Sequence, residues 1–282
     1  MSIFLCFSMR RFDHLLQTIA KEIDIILFGL YTYTAMKKEL LPIPDGLIVL
    51  VFDDAVKSHV TFVVQLLKSY GFNATFYITE GLGFLENKER YLTWEEVREL
   101  HEVGFEIGNH TGQHKAVSKQ SREELITDIE KIDSRCEEYG IPVPVTFCYP
   151  GGHHCPEAVA VLEERQFLFA KRSFEMEPSW SDDDEGNGGL GPAYDPTLHP
   201  PLLVPTTGMS GPNWPFEDFV RAVEKARDGK ITVFTFHGVP DLDHHFVNTE
   251  PDTFKTYMEY LHEHNCTVIA VRDLTKYVDP SA

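Results

Sequence analysis

From Leu47 onward, short apolar runs alternate with amphipathic helical patterns, and that alternation restricts the chain to an α/β architecture. The first run, Leu47-Ile48-Val49-Leu50-Val51-Phe52, is continuous and rich in β-branched residues, as a strand buried on both faces requires. Further strands are predicted at 74–78, 105–108, 143–147, 167–170, 231–236 and 267–271. Between them Val60, Val63, Val64 and Leu67 share one helical face ahead of Gly71, and two capping boxes, Thr93-Trp94-Glu95-Glu96 and Ser121-Arg122-Glu123-Glu124, open further helices. A helix is expected over 216–228, and Pro156 and Pro251 stand where a helix tolerates a missing N–H, in its first turn. Strands alternating with helices pair in parallel through right-handed crossovers. Seven such units in one domain predict a distorted (β/α)7 barrel.

With 43% hydrophobic residues in a chain of 282, one large core fits better than two small ones. The domain is expected over 44–282. Residues 1–43 precede it as an N-terminal helical extension, or as a mis-assigned start ahead of Met36. The apolar patches at 3–7 and 23–31 fall well short of the ~20 residues that span a bilayer. Within the domain, regular patterning fails over 172–215, a Gly- and Pro-rich stretch with the acidic run Asp182-Asp183-Asp184-Glu185. A loop of that length is expected to be a lid or specificity insert. The formal net charge of -19 excludes nucleic acid and anionic membrane as default partners. Five scattered cysteines with no C-x-x-C pair indicate a reducing, cytoplasmic setting rather than a disulfide framework. The partner expected is a small-molecule or oligosaccharide substrate, with an oligomer left open.

The chemistry-bearing residues all follow strands. Asp53-Asp54 follow the first, His110 and His114 the third, Tyr149-Pro150-Gly151-Gly152 the fourth and His237-Gly238 the sixth. Each group alone has an ordinary explanation: paired Asp in a turn, solvent-facing imidazoles, a satisfied polar residue at a strand end. Together they occupy C-terminal strand ends, the face on which α/β barrels assemble active sites. Two imidazoles and a carboxylate with positions left open suit a catalytic divalent metal, zinc being the conservative choice and Co²⁺, Ni²⁺ or Fe²⁺ accepting the same ligands.

The set Phe52-Asp53-Asp54, His110-Thr-Gly-Gln-His114, Phe147-Cys-Tyr-Pro150-Gly-Gly and Phe236-His237-Gly238, in this order, resembles the polysaccharide deacetylase (NodB-homology) family over roughly residues 44–277. The resemblance implies a distorted (β/α)7 barrel and metal-dependent hydrolysis of a non-peptide carbon–nitrogen bond, with N-deacetylation of an acetamido sugar as the leading reaction. It assigns Asp54, His110 and His114 to the metal, Asp53 to the general base and His237 to the general acid. Backbone N–H groups of the segment Tyr149-Pro150-Gly151-Gly152 would help the metal to hold the oxyanion. Two other functions remain: hydrolysis of a non-sugar amide or cyclic imide, and a catalytically silent metal-dependent carbohydrate-binding protein.

Two positions depart from the family. Many members carry an Arg that pairs with the base aspartate where this chain has Cys148; the simpler expectation is that the pair is missing, with Arg172 a possible replacement. The fourth motif normally supplies a Trp beside the acid, for which Trp180 and Trp214 are the options. His153-His154 and His244-His245 could line the cleft or be exposed, while Asp241 and Asp243 are expected as solvent-facing turn residues.

Overall fold

The computed structural model describes residues 39–173 and 189–281. Residues 1–38 of the expected extension, and the acidic run with Trp180, lie outside them. Leu41–Ala282 form one compact unit. All seven predicted strands are present: β1 (Leu47–Phe52), β2 (Thr75–Ile78), β3 (Glu106–Asn109), β4 (Thr146–Cys148), β5 (Phe169–Arg172), β9 (Thr232–Phe236) and β10 (Thr267–Ile269). Three more arise inside the segment expected as a loop: β6 (Gly189–Leu190), β7 (Val204–Pro205) and β8 (Gly208–Met209). Apart from the antiparallel β6–β8 pair, every pairing between these strands is parallel.

The sheet runs β9-β1-β2-β3-β4-β5 and curls because parallel strands twist against one another. Its ends are joined by a stave different from the one expected. Residues 204–205 pair with β5, and 208–209 pair with β9. Between them Thr206 N–H donates to Arg172 O and Thr207 N–H to Val233 O. One bent hexapeptide thus serves both edges and closes the distorted barrel. The last predicted strand, β10, instead pairs with the lower half of β1, while β2 takes the upper half of the same edge.

Pleating divides each strand between two environments. Leu47, Val49 and Val51 face the barrel interior with Tyr77, Cys148, Phe169 and Val233. Ile48, Leu50 and Phe52 face the surrounding helices, packing with Phe76, Phe234, Phe236 and Phe254. Helices end where expected: Gly71 caps Val64–Tyr70 in the left-handed conformation, and both capping boxes form, on Trp94–Glu102 and Arg122–Glu138. The helix expected over 216–228 is shorter, Phe216–Val223. No helix among the described residues is long and apolar enough to cross a membrane.

Phe219 anchors an outer aromatic cluster, with ring centroids 4.2 Å from Tyr257 and 4.8 Å from Phe234. Trp214 belongs to this cluster, buried 5.8 Å from Tyr257. Phe219→Ala should destabilise the fold by about 3–5 kcal/mol, read as a lower urea midpoint with an unchanged slope.

Candidate active site

Continuing the pleat explains the site. The interior series on β1 runs Leu47, Val49, Val51 and then Asp53; the series on β4, β5 and β9 ends at Cys148, Lys171 and Thr235. These four side chains form the top layer of the barrel interior, each 5% exposed or less. Lys171 Nζ donates to Asp53 Oδ2 at 2.8 Å and to Thr235 Oγ1 at 3.2 Å, and Thr235 Oγ1 lies 3.0 Å from Thr206 Oγ1 on the closing hexapeptide. Cys148 Sγ approaches the same Asp53 oxygen at 3.5 Å. Asp53 Oδ1 has no hydrogen-bond partner.

Lys171 corrects the expectation that Asp53 lacks a cationic partner. Arg172 is not the replacement, since its guanidinium donates to Ser173 O. Cys148 and Lys171 are register partners across β4 and β5, so the positive charge enters from the neighbouring strand at the same height. Burial is the largest influence and works to raise the Asp53 pKa, but the Lys171 ammonium together with His110 and His237 outweighs it and holds the carboxyl below its usual value. Burial works against the charge on Lys171, but Asp53 and Cys148 together outweigh it and raise the lysine's pKa. A lysine two residues after Phe169 on a buried strand was the available signal, since such a charge must find a partner.

Asp54 leaves β1 through a sharp turn in which it and Ala55 both adopt left-handed backbone, with φ of 72° and 53°. Such conformations are uncommon outside glycine and persist where surroundings enforce them. Asp54 Oδ1 lies 3.4 Å from His110 Nε2 and 3.2 Å from His114 Nε2, and Oδ2 lies 3.8 Å from His237 Nε2. The His110–His114 loop follows β3, held from behind by Asn109, which donates to Ile129 O and Asp133 Oδ1 on Arg122–Glu138. Gly81 lets the loop after β2 pass this close: a Cβ there would sit 2.7 Å from Gln113 O and 2.9 Å from His114 Cβ.

The donor set fits a divalent cation. His110 Nδ1 donates to Cys148 O at 2.7 Å, which in the neutral ring leaves Nε2 as a lone pair aimed at a carboxylate oxygen. Two acceptors face each other, and Asp54 Oδ1, buried, accepts no hydrogen bond. A cation between them resolves the repulsion, and the ligand atoms of Asp54, His110 and His114 lie within 4.8 Å of one another. Without a cation a proton does the same work: burial pulls the His110 pKa down, yet Asp54 and Asp53, with the Cys148 carbonyl, prevail and raise it.

His237 follows β9, and its backbone is pinned from two directions. His59 Nε2 donates to His237 O at 3.0 Å, and Val239 N–H donates to Ser58 Oγ at 2.7 Å. Asp241 is 1% exposed, contrary to the solvent-facing expectation, because Gly238, Asp243 and His244 N–H groups all donate to its carboxylate. A turn-forming Asp in a loop looks the same in sequence whether its turn is buried or exposed.

One cavity of about 220 Å³ collects Asp53, Asp54, His110, His114, Lys171 and His237. Leu82, Met209, Phe246 and Val247 form its apolar wall, and His244 also borders it, whereas His153 and His154 line a separate groove. Of the expected oxyanion residues, Gly151 borders the cavity but Tyr149 and Pro150 do not. The Tyr149 N–H is committed to Lys171 O and the Gly152 N–H to Tyr149 O, and proline has no N–H to offer. Trp214 does not border the cavity either.

A family model described as polysaccharide deacetylase matches residues 42–169, a span that holds the first three motifs and stops short of His237. A peptidoglycan-N-acetylglucosamine deacetylase of Bacillus cereus is 29% identical over 139 residues, a match covering 49% of this chain and 62% of that protein. A family 4 acetyl xylan esterase from Clostridium thermocellum, solved in complex with a cobalt ion, aligns with a TM-score of 0.55 at 18% identity over 84% of this chain and 95% of that one. A CE4 family pseudoenzyme from Bacillus anthracis gives 0.53 at 15% identity over 84% and 68%. At these identities the structural likeness is one of fold. The resemblance read from the motifs therefore holds twice, to polysaccharide deacetylases in sequence and to family 4 carbohydrate esterases in fold.

His59 is fully buried, and burial lowers its pKa from 6.5 to about 4. The folded protein therefore binds fewer protons at this ring than the unfolded chain between those values, so stability is full above 6.5 and falls as pH drops towards about 4. Ring resonances of His59 should stay at their neutral positions until the pH nears about 4. A His59→Asn variant should lose less stability than the wild type over the same acid range.

Proposed function

We propose that this chain hydrolyses a carbon–nitrogen amide bond outside peptides, with N-deacetylation of an acetamido sugar or glycan as its reaction. The observation that carries this is the convergence of two imidazole nitrogens on the buried Asp54 Oδ1, at 3.2 and 3.4 Å, with no hydrogen bond made to that oxygen, beside an unpartnered Asp53 Oδ1. Asp54, His110 and His114 would hold one divalent cation, Zn²⁺ by ligand type and Co²⁺, Ni²⁺ or Fe²⁺ by tolerance. Bound there, such a cation lowers the pKa of water and polarises a carbonyl.

Asp53 and His237 divide the proton work between them. Lys171 fixes one Asp53 oxygen at 2.8 Å, leaving Oδ1 to take the proton of the attacking water. The ionised form that a base requires is the form Lys171 favours. His237 supplies a proton to the departing amine, which is a poor leaving group without one. Burial lowers the His237 pKa against the opposing pull of Asp54, so its protonated ring gives up a proton more readily than a free imidazole.

The apolar wall of Leu82, Met209, Phe246 and Val247 favours one further reading, hydrolysis of a non-sugar amide or cyclic imide, because apolar walls recognise uncharged organic groups. Retention of base, acid and ligand set in one cavity opposes a silent carbohydrate-binding role. Four free cysteines among the described residues accord with a cytoplasmic setting.

The test is acetate release from chitooligosaccharides, run beside amide and imide substrates. Chelation should abolish turnover and added Zn²⁺ or Co²⁺ should restore it. Asp53→Asn should retain the cation and lose roughly 10²–10⁴-fold in kcat. Cation uptake without hydrolysis of any of these substrates would reject an enzymatic role, and an Asp53→Asn variant as active as wild type would reject the base.

A further inference from the structure

The side chains above β1 offer two overlapping ligand sets that share His110. Besides Asp54, His110 and His114, the ligand atoms of Asp53, His110 and Cys148 also lie within 4.8 Å of one another. All three residues of the second set are 4% exposed or less. The set is chemically distinct, because a thiol favours softer cations and is deprotonated outright when it coordinates one. A cation seated there would engage the carboxylate proposed as the base.

One group stands against that outcome. The Lys171 ammonium donates to Asp53 Oδ2 at 2.8 Å, the oxygen that Cys148 Sγ approaches at 3.5 Å. It is 4% exposed, so its charge is poorly screened at this depth. Its hydrogen bond to Thr235, which in turn contacts Thr206, holds it in place. We infer that Lys171 is a metal-selecting positioning residue: it occupies the Asp53–Cys148 corner with a fixed positive charge, excludes a cation from the Asp53–His110–Cys148 set, and so confines the metal to Asp54, His110 and His114. This rests on the reading of those three residues as the metal centre.

The same placement explains why a buried thiol so close to the proposed metal site does not become a ligand. With Lys171 in position, the Asp53 oxygen that Cys148 Sγ approaches already accepts the ammonium at 2.8 Å, so a cation seated between that oxygen and the thiol would meet a fixed positive charge. Without Lys171, Asp53 is an unpaired buried carboxylate, and a divalent cation bridging it to Cys148 is the nearest remedy.

Cobalt titration of metal-free protein tests the inference without substrate. Thiolate ligands give Co²⁺ a strong near-ultraviolet charge-transfer band, which carboxylate and imidazole ligands do not. Wild type and Lys171→Arg should take up Co²⁺ without that band, and Cys148→Ser should leave the wild-type cobalt spectrum unchanged. Lys171→Met, with Lys171→Gln as a second neutral variant, should gain the band, and Lys171→Met/Cys148→Ser should lose it again. A thiolate band in the wild type, or a changed cobalt spectrum in Cys148→Ser, overturns the inference whether or not the lysine variants fold. So does a folded Lys171→Met or Lys171→Gln protein whose cobalt spectrum matches the wild type. Hydrolysis is not read in any arm, so an inactive wild type would reject the proposed reaction and leave this result standing.

Discussion

Strand β1 is hydrogen-bonded along both edges, to β9 on one side and to β10 and then β2 on the other, and all six of its residues are buried. Everything that defines the cavity is referenced to it. Its pleat decides that Asp53 points into the barrel, and the strained turn after it carries Asp54 towards the imidazoles that follow β3. Because β9 pairs with β1 through Phe52 and Phe236, the chain emerges from both strands at one level, which sets Asp53 and His237 side by side. A one-residue slip of β1 would exchange its two faces; aromatic packing of Phe52 against Phe76 and Phe236, at 5.0 and 5.6 Å, opposes that slip.

Most of this frame was legible because it follows from periodicity. Seven strands, two capping boxes, the Gly71 stop and the placement of polar groups after strands all express local rules. The barrel closure was not legible. The hexapeptide 204–209 presents no apolar run of strand length, and its pairing to two edges is a tertiary event that local pattern does not encode. Lys171 was not legible because the family resemblance places the cation at the position of Cys148, one strand away at the same register, and Asp241 because a buried turn and an exposed one share a composition. His59 is a similar case: a histidine on a helical face shows no sign that its ring will pack against both Phe52 and Phe76 and support the carbonyl of His237.

Charge at this site is arranged against the general character of the molecule. The chain as a whole carries a formal net charge of -19, yet the top of its barrel pairs the Asp53 carboxylate with an ammonium and sets Asp54 among three imidazoles. A buried charge pair of this kind adds little net stability, since desolvation offsets attraction. Its effect is on geometry: it determines which carboxylate oxygen is left open to the cavity. Ordering of that oxygen also depends on the hexapeptide that closes the barrel, through the contact between Thr206 and Thr235.

The register that pairs Cys148 with Lys171 has a consequence for how such proteins change over time. Two neighbouring staves each present a side chain at one height inside the barrel, so a positive charge can pass from one strand to the next through an ancestor carrying both. Neither step would leave the carboxylate unattended. In a lineage that drifts in this way, what is inherited is a location in space, and an alignment column that shows a loss can sit beside another that records the gain.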